Sequence, residues 1–472
     1  MKYYEFIPFA GDLKDLQGPE LIALRDVAEG WFVDYKSAAL TPKAFGKHLS
    51  AFANQHGGWL FIGVAEDPAT MRAAEFPGVP SESVGELRVC LREASSAHTV
   101  PEVYFESKVI EGPVETLGLP AGRAILVVGV PEGVNTPHIH SSGRIYRRVA
   151  DCSDPREETD QRVLELLWAR RDGVRRRLKS FLTSVPTLSK AEGANAHAYV
   201  YLVADPSFRQ GIWNIHYDDI VETMCSDDRS SATSVSFDSI FPTTDGVIAR
   251  QTKGNNPLFE NLTFRYWSNG DARITIPMNV TTQQDRQIRF HPLRLRLAEL
   301  LEEKGFRNVR IVDLSIFAAA TASVIVKYLR LRELAGVDGP FFGKVRLDHV
   351  WRLVPFLNIE HYIRDVERFG APLIQDDEVL CPPEHSSESL LRLGSLTTPP
   401  DSKPFEGMST AFPLILATLR GAGISMRFLC PTGTEVDADA ALALWQAFIE
   451  AVQPFVKTAN ALDSTVARTA SN

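Results

Sequence analysis

Two runs near the amino end, EGWFVDYK at residues 29–36 and LSAFANQHGGWLFIGVAED at residues 49–67, decide the reading of the fold. Thr41 as N-cap, Pro42 at the first helical position and the apolar stripe Phe45, Leu49, Phe52 and Ala53 predict a helix that Gly57 and Gly58 stop. Trp59 to Val64 is an unbroken apolar run, the pattern of a strand buried on both faces, and it exits at Glu66 and Asp67. Upstream, Leu21, Ile22, Leu24, Val27 and Ala28 set a helical pattern between Pro19 and Glu29, with Gly30 as a left-handed cap. Trp31 to Lys36 then reads as a strand, with Phe32, Asp34 and Lys36 on one face and Val33 and Tyr35 on the other.

If the two strands lie side by side, Glu29, Asp34 and Glu66 can converge at one strand edge. Three carboxylates repel one another there unless something positive sits between them, and a hard divalent cation, Mg or Mn, is the usual answer. Such an ion activates water and stabilises the charge developing on a phosphate, which is nuclease chemistry. Lys36, two residues from Asp34 on the same face, could neutralise a phosphate oxygen or position the attacking group. The plainer alternative is that these acids are solvated strand ends.

Three segments carry a resemblance to a known family: EGWFVDYK, AFANQHGGWLFIGVAED at 51–67 and AILVVGVPEGVNTPHIHSSGRIYRRVADCSDP at 124–155. The family pattern runs from an acidic residue, four variable positions and a strand ending in Lys, through a helix ending in AFAN and a glycine pair, to an apolar strand and an acid. A later apolar strand leads to a Pro, a short hairpin and a Tyr-x-Arg. All occur here in that order, and the region from 20 to 160 resembles the Schlafen AlbA_2 domain. The resemblance implies an α+β fold, a Schlafen-core-like mixed sheet flanked by helices. In members that cut transfer and ribosomal RNA, three acids form the metal-dependent catalytic set, and they fall on Glu29, Asp34 and Glu66. Asp34 stands where the family more often has Glu, and Glu66 where the active vertebrate members have Asp; both swaps keep the charge and move the carboxylate by one methylene. Asp67 is the neighbour able to take over from Glu66. Active vertebrate members close two related lobes around RNA. One lobe is evident here, which implies a homodimer.

At 472 residues the chain predicts roughly two to four domains. We divide it into an AlbA_2-like domain over 1–160, a basic helix and linker over 161–196, a second mixed α/β region for recognition or oligomerisation over 197–456 and an unstructured tail over 457–472. The linker is SVPTLSKAEGANA at 184–196. Beyond it, AHAYVYLVA reads as a strand and LTFRYWSNGDARITIP at 262–277 as a hairpin with Asn269 and Gly270 in a type I′ turn. HPLRLRLAELLEEKGF at 291–306 reads as a helix, NVRIVDLSIF at 308–317 as a strand, and ALALWQAFIEAV near 441–452 as a last helix. Five cysteines without a CxxC pair fit a reducing compartment. The start MKYYEFIPFAGDLKDLQ has no signal-peptide pattern, and no segment has the unbroken apolar length of about 18 residues that a membrane helix needs. A cytoplasmic protein is expected. The absence of a GxxxxGK[ST] loop and of a nucleophile elbow speaks against a helicase motor, a Walker-type ATP site and an α/β-hydrolase.

A net charge of −9 argues against a simple nucleic-acid coat. Yet the cations are clustered. Arg144, Arg147 and Arg148 flank Tyr146, and Arg170, Arg171, Arg175, Arg176, Arg177 and Lys179 crowd one helix after Pro155, whose expected buried positions are Val163, Leu166, Leu167 and Val174. Two basic clusters around an acidic edge suit a groove that tracks an RNA backbone; a solvated face with Glu165 and Asp172 as partners is the alternative. His138 and His140, alternating along an extended segment, and Lys47 and His48 are candidate phosphate contacts, while Asn54 is expected to fix the turn after its helix. Three functions remain open: a metal-dependent endoribonuclease cutting structured RNA such as transfer RNA, in stress or phage defence; a non-catalytic binder of RNA or DNA; and a nucleotide sensor.

Overall fold

The computed structural model describes residues 6–11, 13–149, 154–190, 192–205, 215–226, 235–253, 261–282, 292–337, 339–383, 390–393, 403–425, 427, 429, 442–444 and 446. It is α+β and divides into two compact units, Met1–Phe181 and Leu182–Asn472.

In the first unit Gly18–Asp26 forms a 3-10 helix in place of the α-helix expected over 19–29. Its buried residues, Leu21 and Leu24, are three apart, the repeat of the tighter helix. The chain leaves it in extended backbone at Val27, so Gly30 is not its cap. Then follow β1 (Val33–Lys36), α1 (Pro42–Asn54), β2 (Gly58–Ile62), β3 (Ala65–Asp67), β4 (Arg72–Glu75), β5 (Val79–Pro80), α2 (Val84–His98) and β6 (Thr99–Val100). Next come β7 (Glu106–Glu111), β8 (Arg123–Val130), β9 (Ile139–His140), β10 (Tyr146–Arg147), β11 (Arg156–Glu157) and α3 (Gln161–Thr183). The main sheet has the order β1-β2-β8-β5, with β7 also on β8. As the sequence predicts, β1 and β2 are neighbours; they run parallel, with Asp34 opposite Leu60.

The apolar run of β2 is buried throughout because a separate core lies on each face of the sheet. Trp59 and Phe61 pack with Ile125, Val127 and Leu24 on one side. On the other, Leu60 and Ile62 meet Phe45, Leu49 and Phe52 of α1 and Leu87 and Leu91 of α2. The Thr41 hydroxyl caps α1, accepting from the Ala44 N–H at 3.3 Å. At the other end Gly57 takes φ +74°, and a Cβ there would lie 2.6 Å from the Val130 carbonyl oxygen. Only glycine permits that close turn between α1 and the sheet.

Helix α3 departs from the expected amphipathic packing: of Val163, Leu166, Leu167 and Val174 only Leu167 is buried, and Leu166 is 61% exposed. Polar contacts hold it instead. The Thr136 hydroxyl donates to the Leu167 carbonyl at 2.7 Å, and Arg170 pairs with Glu132 at 2.7 Å.

The second unit is built on β12 (His197–Ala204), β13 (Ser239–Thr243), β14 (Gly246–Arg250), β15 (Thr263–Trp267) and β16 (Ala272–Pro277). The set continues with β17 (Val280–Thr282), β18 (Arg310–Asp313), β19 (Phe341–Asp348), β20 (Val354–Phe356), β21 (Glu378–Cys381) and β22 (Leu391–Leu393). Its large sheet runs β13-β14-β15-β16-β12-β19-β21, with β22 also on β19. The hairpin β15–β16 forms as predicted, but among its described turn residues only Gly270 has positive φ, so the turn is not type I′. Asn269 instead bonds the Asp271 carboxylate through its side chain at 2.7 Å. The strand expected over 308–317 ends at Asp313, whose carboxylate accepts the Ser315 and Ile316 N–H groups and starts the helix Leu314–Leu334. That helix is long and apolar enough to cross a membrane by length and composition, contrary to the expectation that no segment is; most of it is buried inside the unit. The expected tail over 457–472 lies outside the described residues, as does most of the helix expected near 441–452.

Candidate functional site

Asp34 stands on β1 with its side chain completely buried. Strand alternation aims it, with Lys36, at α1, and three donors meet it there. Lys36 Nζ binds Oδ1; His48 Nδ1 and Arg148 Nη1 each donate to Oδ2 at 2.7 Å. Burial opposes its charge, but the His48 hydrogen bond and the charges of His48, Arg148 and Lys36 outweigh it and hold the carboxyl below the usual carboxylate range. The positive charge required between the acids is thus supplied by the chain itself.

Glu29 is buried beside this network. Its Oε1 accepts the Tyr35 backbone N–H, and Lys36 Nζ lies 3.8 Å away. Burial first, then the Asp34 charge, push its carboxyl up to about 9. Its Oε2 is buried without a hydrogen-bond partner. Glu66 sits on β3 opposite Ala73, and its Oε2 is likewise buried and partnerless. The β3–β4 hairpin reaches Glu29 through a hydrogen bond from its N–H to the Met71 carbonyl at 2.7 Å. Tyr35 registers both glutamates: burial raises its phenol, and the charges of Glu29 and Glu66 raise it further.

The structure therefore joins Glu29 to Asp34 through Lys36 and sets Glu66 on the adjoining hairpin. Among the described residues no three His, Cys, Asp or Glu side chains are grouped to hold a metal ion. Glu29 Oε2 and Glu66 Oε2 are what the site offers a divalent cation; neither Asp34 oxygen is without a protein donor. The three-carboxylate cluster expected is therefore not formed among the described residues.

Arg148 differs most from its expected place at a nucleic-acid surface. It is wholly buried, donates to the Gly30 carbonyl at 2.9 Å as well as to Asp34, and stacks 5.2 Å from the Phe52 ring centre. The signal was in the Tyr-x-Arg pattern: alternation turns Tyr146 and Arg148 toward α1 and leaves Arg147 on the other face, where it pairs with Glu158. His48, grouped beforehand with phosphate contacts, faces inward to Asp34. His138 is also buried, its Nδ1 bonded to the Pro101 carbonyl at 2.9 Å and its proton affinity lowered mainly by burial. Asn54 does more than fix its own turn. It donates to the His138 and Tyr146 carbonyls at 2.9 and 3.0 Å and accepts the His138 N–H at 2.7 Å, tying the whole hairpin segment to α1.

Four of the predicted basic positions remain on the surface with Arg147: Arg144, paired with Glu157 at 2.9 Å, and the run Arg175, Arg176 and Arg177, exposed along α3. Tyr146 is half-buried, with Lys47 Nζ 5.4 Å from its ring centre.

Residues 29–157 match the family model described as Schlafen, AlbA_2. No curated protein matches the chain. Similar solved structures include the N-terminal domain of a RecG-related protein from Nitrosomonas europaea, at 22% identity over 30% of this chain and 92% of that one, TM-score 0.22. Another is the DIP2311 protein from Corynebacterium diphtheriae, at 14% identity over 41% of this chain and 29% of that one, TM-score 0.20.

Proposed function

We propose, with the match of residues 29–157 to the Schlafen AlbA_2 family as premise, that the amino-terminal unit binds nucleic acid by its phosphate backbone. The observation that supports this reading is on α3. Arg175, Arg176 and Arg177 are consecutive and exposed, and none has an acidic partner among the described residues, whereas Arg170 and Arg171 of the same helix do. Three exposed guanidinium charges without an acidic partner attract an anionic backbone, and binding there releases its counterions. RNA of the transfer-RNA kind is the partner the family resemblance implies, with a homodimer supplying a second lobe.

The test is affinity for transfer RNA and for duplex DNA across a salt series. Replacing the three arginines by Glu should weaken binding at least tenfold and flatten the slope of log affinity against log salt by about 2 to 3. Wild-type protein that binds neither polymer at low salt overturns the proposal. Light scattering reads the dimer.

A second reading, hydrolysis of the bound strand, is favoured by the partnerless oxygens of Glu29 and Glu66. A Mg or Mn ion held there would supply water activation and charge stabilisation. Lys36, tethered to Asp34, would hold a phosphate oxygen, and Asp34 with His48 and Arg148 would fix Lys36 in place. Cleavage of structured RNA that needs Mn²⁺ and is lost in Glu29→Ala and Glu66→Ala, with binding retained, supports this reading; wild-type protein inert toward RNA at every metal concentration sinks it.

A further inference from the structure

The tip of the hairpin at Ser141–Arg144 carries a feature that the acidic network does not use. Two Ser–His hydrogen bonds stand side by side: His98 Nδ1 with the Ser141 hydroxyl at 2.9 Å, and His140 Nδ1 with the Ser142 hydroxyl at 2.8 Å. The two rings are stacked 6.3 Å apart, and the Tyr146 ring meets His140 edge-on at 5.4 Å. His140 Nε2 donates to the Lys43 carbonyl at 3.0 Å, which fixes its tautomer and leaves Nδ1 to accept from the Ser142 N–H at 3.1 Å and from its hydroxyl. The Ser142 oxygen then faces the Tyr146 hydroxyl, 3.5 Å away.

Helix α1 closes over this group. Gly46 makes the approach possible, since a Cβ there would lie 2.8 Å from His98 Cβ. The first turns of α1 consequently bring Lys43 and Lys47 to the same place. Lys47 Nζ lies 5.4 Å from the Tyr146 ring centre, and the His140 proton affinity is lowered by burial first and then by the neighbouring His98, Lys43 and Lys47. Little opposes them: Lys43 has no acidic partner among the described residues, and Lys47 has Asp154 at 4.0 Å. Ser141, Ser142, Gly143, Arg144 and Lys43 are exposed.

A Ser141 hydroxyl that accepts from His98 Nδ1 keeps its own proton to donate, and with the Lys43 and Lys47 ammonium groups it is complementary to phosphate oxygens. A bridging phosphodiester carries a single charge. A phosphate monoester, dianionic for the most part at neutral pH, is drawn to the same cations more strongly. We propose that the Ser141–Arg144 hairpin, with Lys43, Lys47 and His98, is a recognition site for a phosphate monoester, either the terminal phosphate of a nucleic-acid strand or that of a free nucleotide. The strand form rests on the nucleic-acid reading above; the nucleotide form does not.

The experiment uses the full chain and four probes: a short single-stranded RNA with a 5′-phosphate, the same strand with a 5′-hydroxyl, AMP and inorganic phosphate. The phosphorylated strand should bind about tenfold more tightly than its hydroxyl twin, and the Lys43→Ala/Lys47→Ala double variant should bring that ratio to one. Both lysines reach solvent, so the variant keeps its fold; circular dichroism verifies it. A ratio of one in wild type, with AMP and phosphate binding lost in the double variant, assigns the site to free nucleotides. A ratio of one with no binding of AMP or phosphate overturns the site, whatever the affinity for the strands. Failure of both strands while AMP still binds would instead count against the nucleic-acid reading alone.

Discussion

Arg148 and Glu29 show how differently two buried charges behave at the level of the single residue. Arg148 is anchored by Asp34 and two backbone carbonyls, so Arg148→Ala takes one of three donors from a buried carboxylate and the partner from two buried carbonyls, and should cost about 3 to 5 kcal/mol in urea unfolding. Arg148→Lys, which restores charge but not the fork of donors, should recover only part of that. Glu29 has the opposite sign. Unfolded, its carboxyl titrates at the ordinary 4.5; folded, burial and Asp34 push it up to about 9. The folded chain keeps a proton that the unfolded chain has released, so this contribution to stability is complete below pH 4.5 and is lost as pH rises toward 9. Asp34, held below its ordinary 3.8, contributes above that value and loses its contribution as pH falls through the folded one. Glu29→Gln, uncharged at every pH, should leave stability near pH 5 unchanged and flatten its decline toward pH 9, read from urea midpoints in metal-free buffer. A decline as steep as in wild type would show that Glu29 is ionised in the folded chain.

Two elements with a strong local signal, α1 and β2, formed where that signal put them. Thr41-Pro42 and the Phe45, Leu49, Phe52 stripe specify α1, and the apolar run after Gly58 specifies β2, because cap chemistry and periodicity are properties of neighbouring residues. The strand expected through Phe317 stops at Asp313 for a local reason too: this last strand residue is also the N-cap of the helix Leu314–Leu334. What the sequence hid was long-range. Asp34 and Arg148 are 114 positions apart, and no local rule shows that an arginine in a basic hairpin neutralises an acid on β1. Asn54 couples elements in the same way. Its amide satisfies backbone groups of His138 and Tyr146, so Asn54→Ala should leave buried polar groups unpaired and cost about 2 to 4 kcal/mol. Because that tie holds β10 against α1, the same variant should also increase hydrogen exchange at Ile145 to Arg147 while β2 amides stay protected. Unchanged exchange there would mean that β10 is held by other contacts.

The two units keep separate hydrophobic interiors: every residue of the large cluster lies between Ala196 and Leu444, and the two clusters flanking the amino-terminal sheet lie between Phe9 and Val130. Cooperative unfolding follows a continuous core, because loss of packing at one point exposes its neighbours. The chain should therefore show two calorimetric transitions, one for each unit. Arg148→Ala supplies the assignment, since its partners Asp34, Gly30, Val33 and Phe52 all belong to the amino-terminal unit. It should lower one melting temperature by several degrees and leave the other in place. If added nucleic acid raises the transition that Arg148→Ala lowers, the ligand binds the amino-terminal unit, as the charge on α3 and the hairpin require; if it raises only the other, binding belongs to the carboxyl-terminal unit. A single transition displaced as a whole by Arg148→Ala would instead make the two interiors one cooperative body.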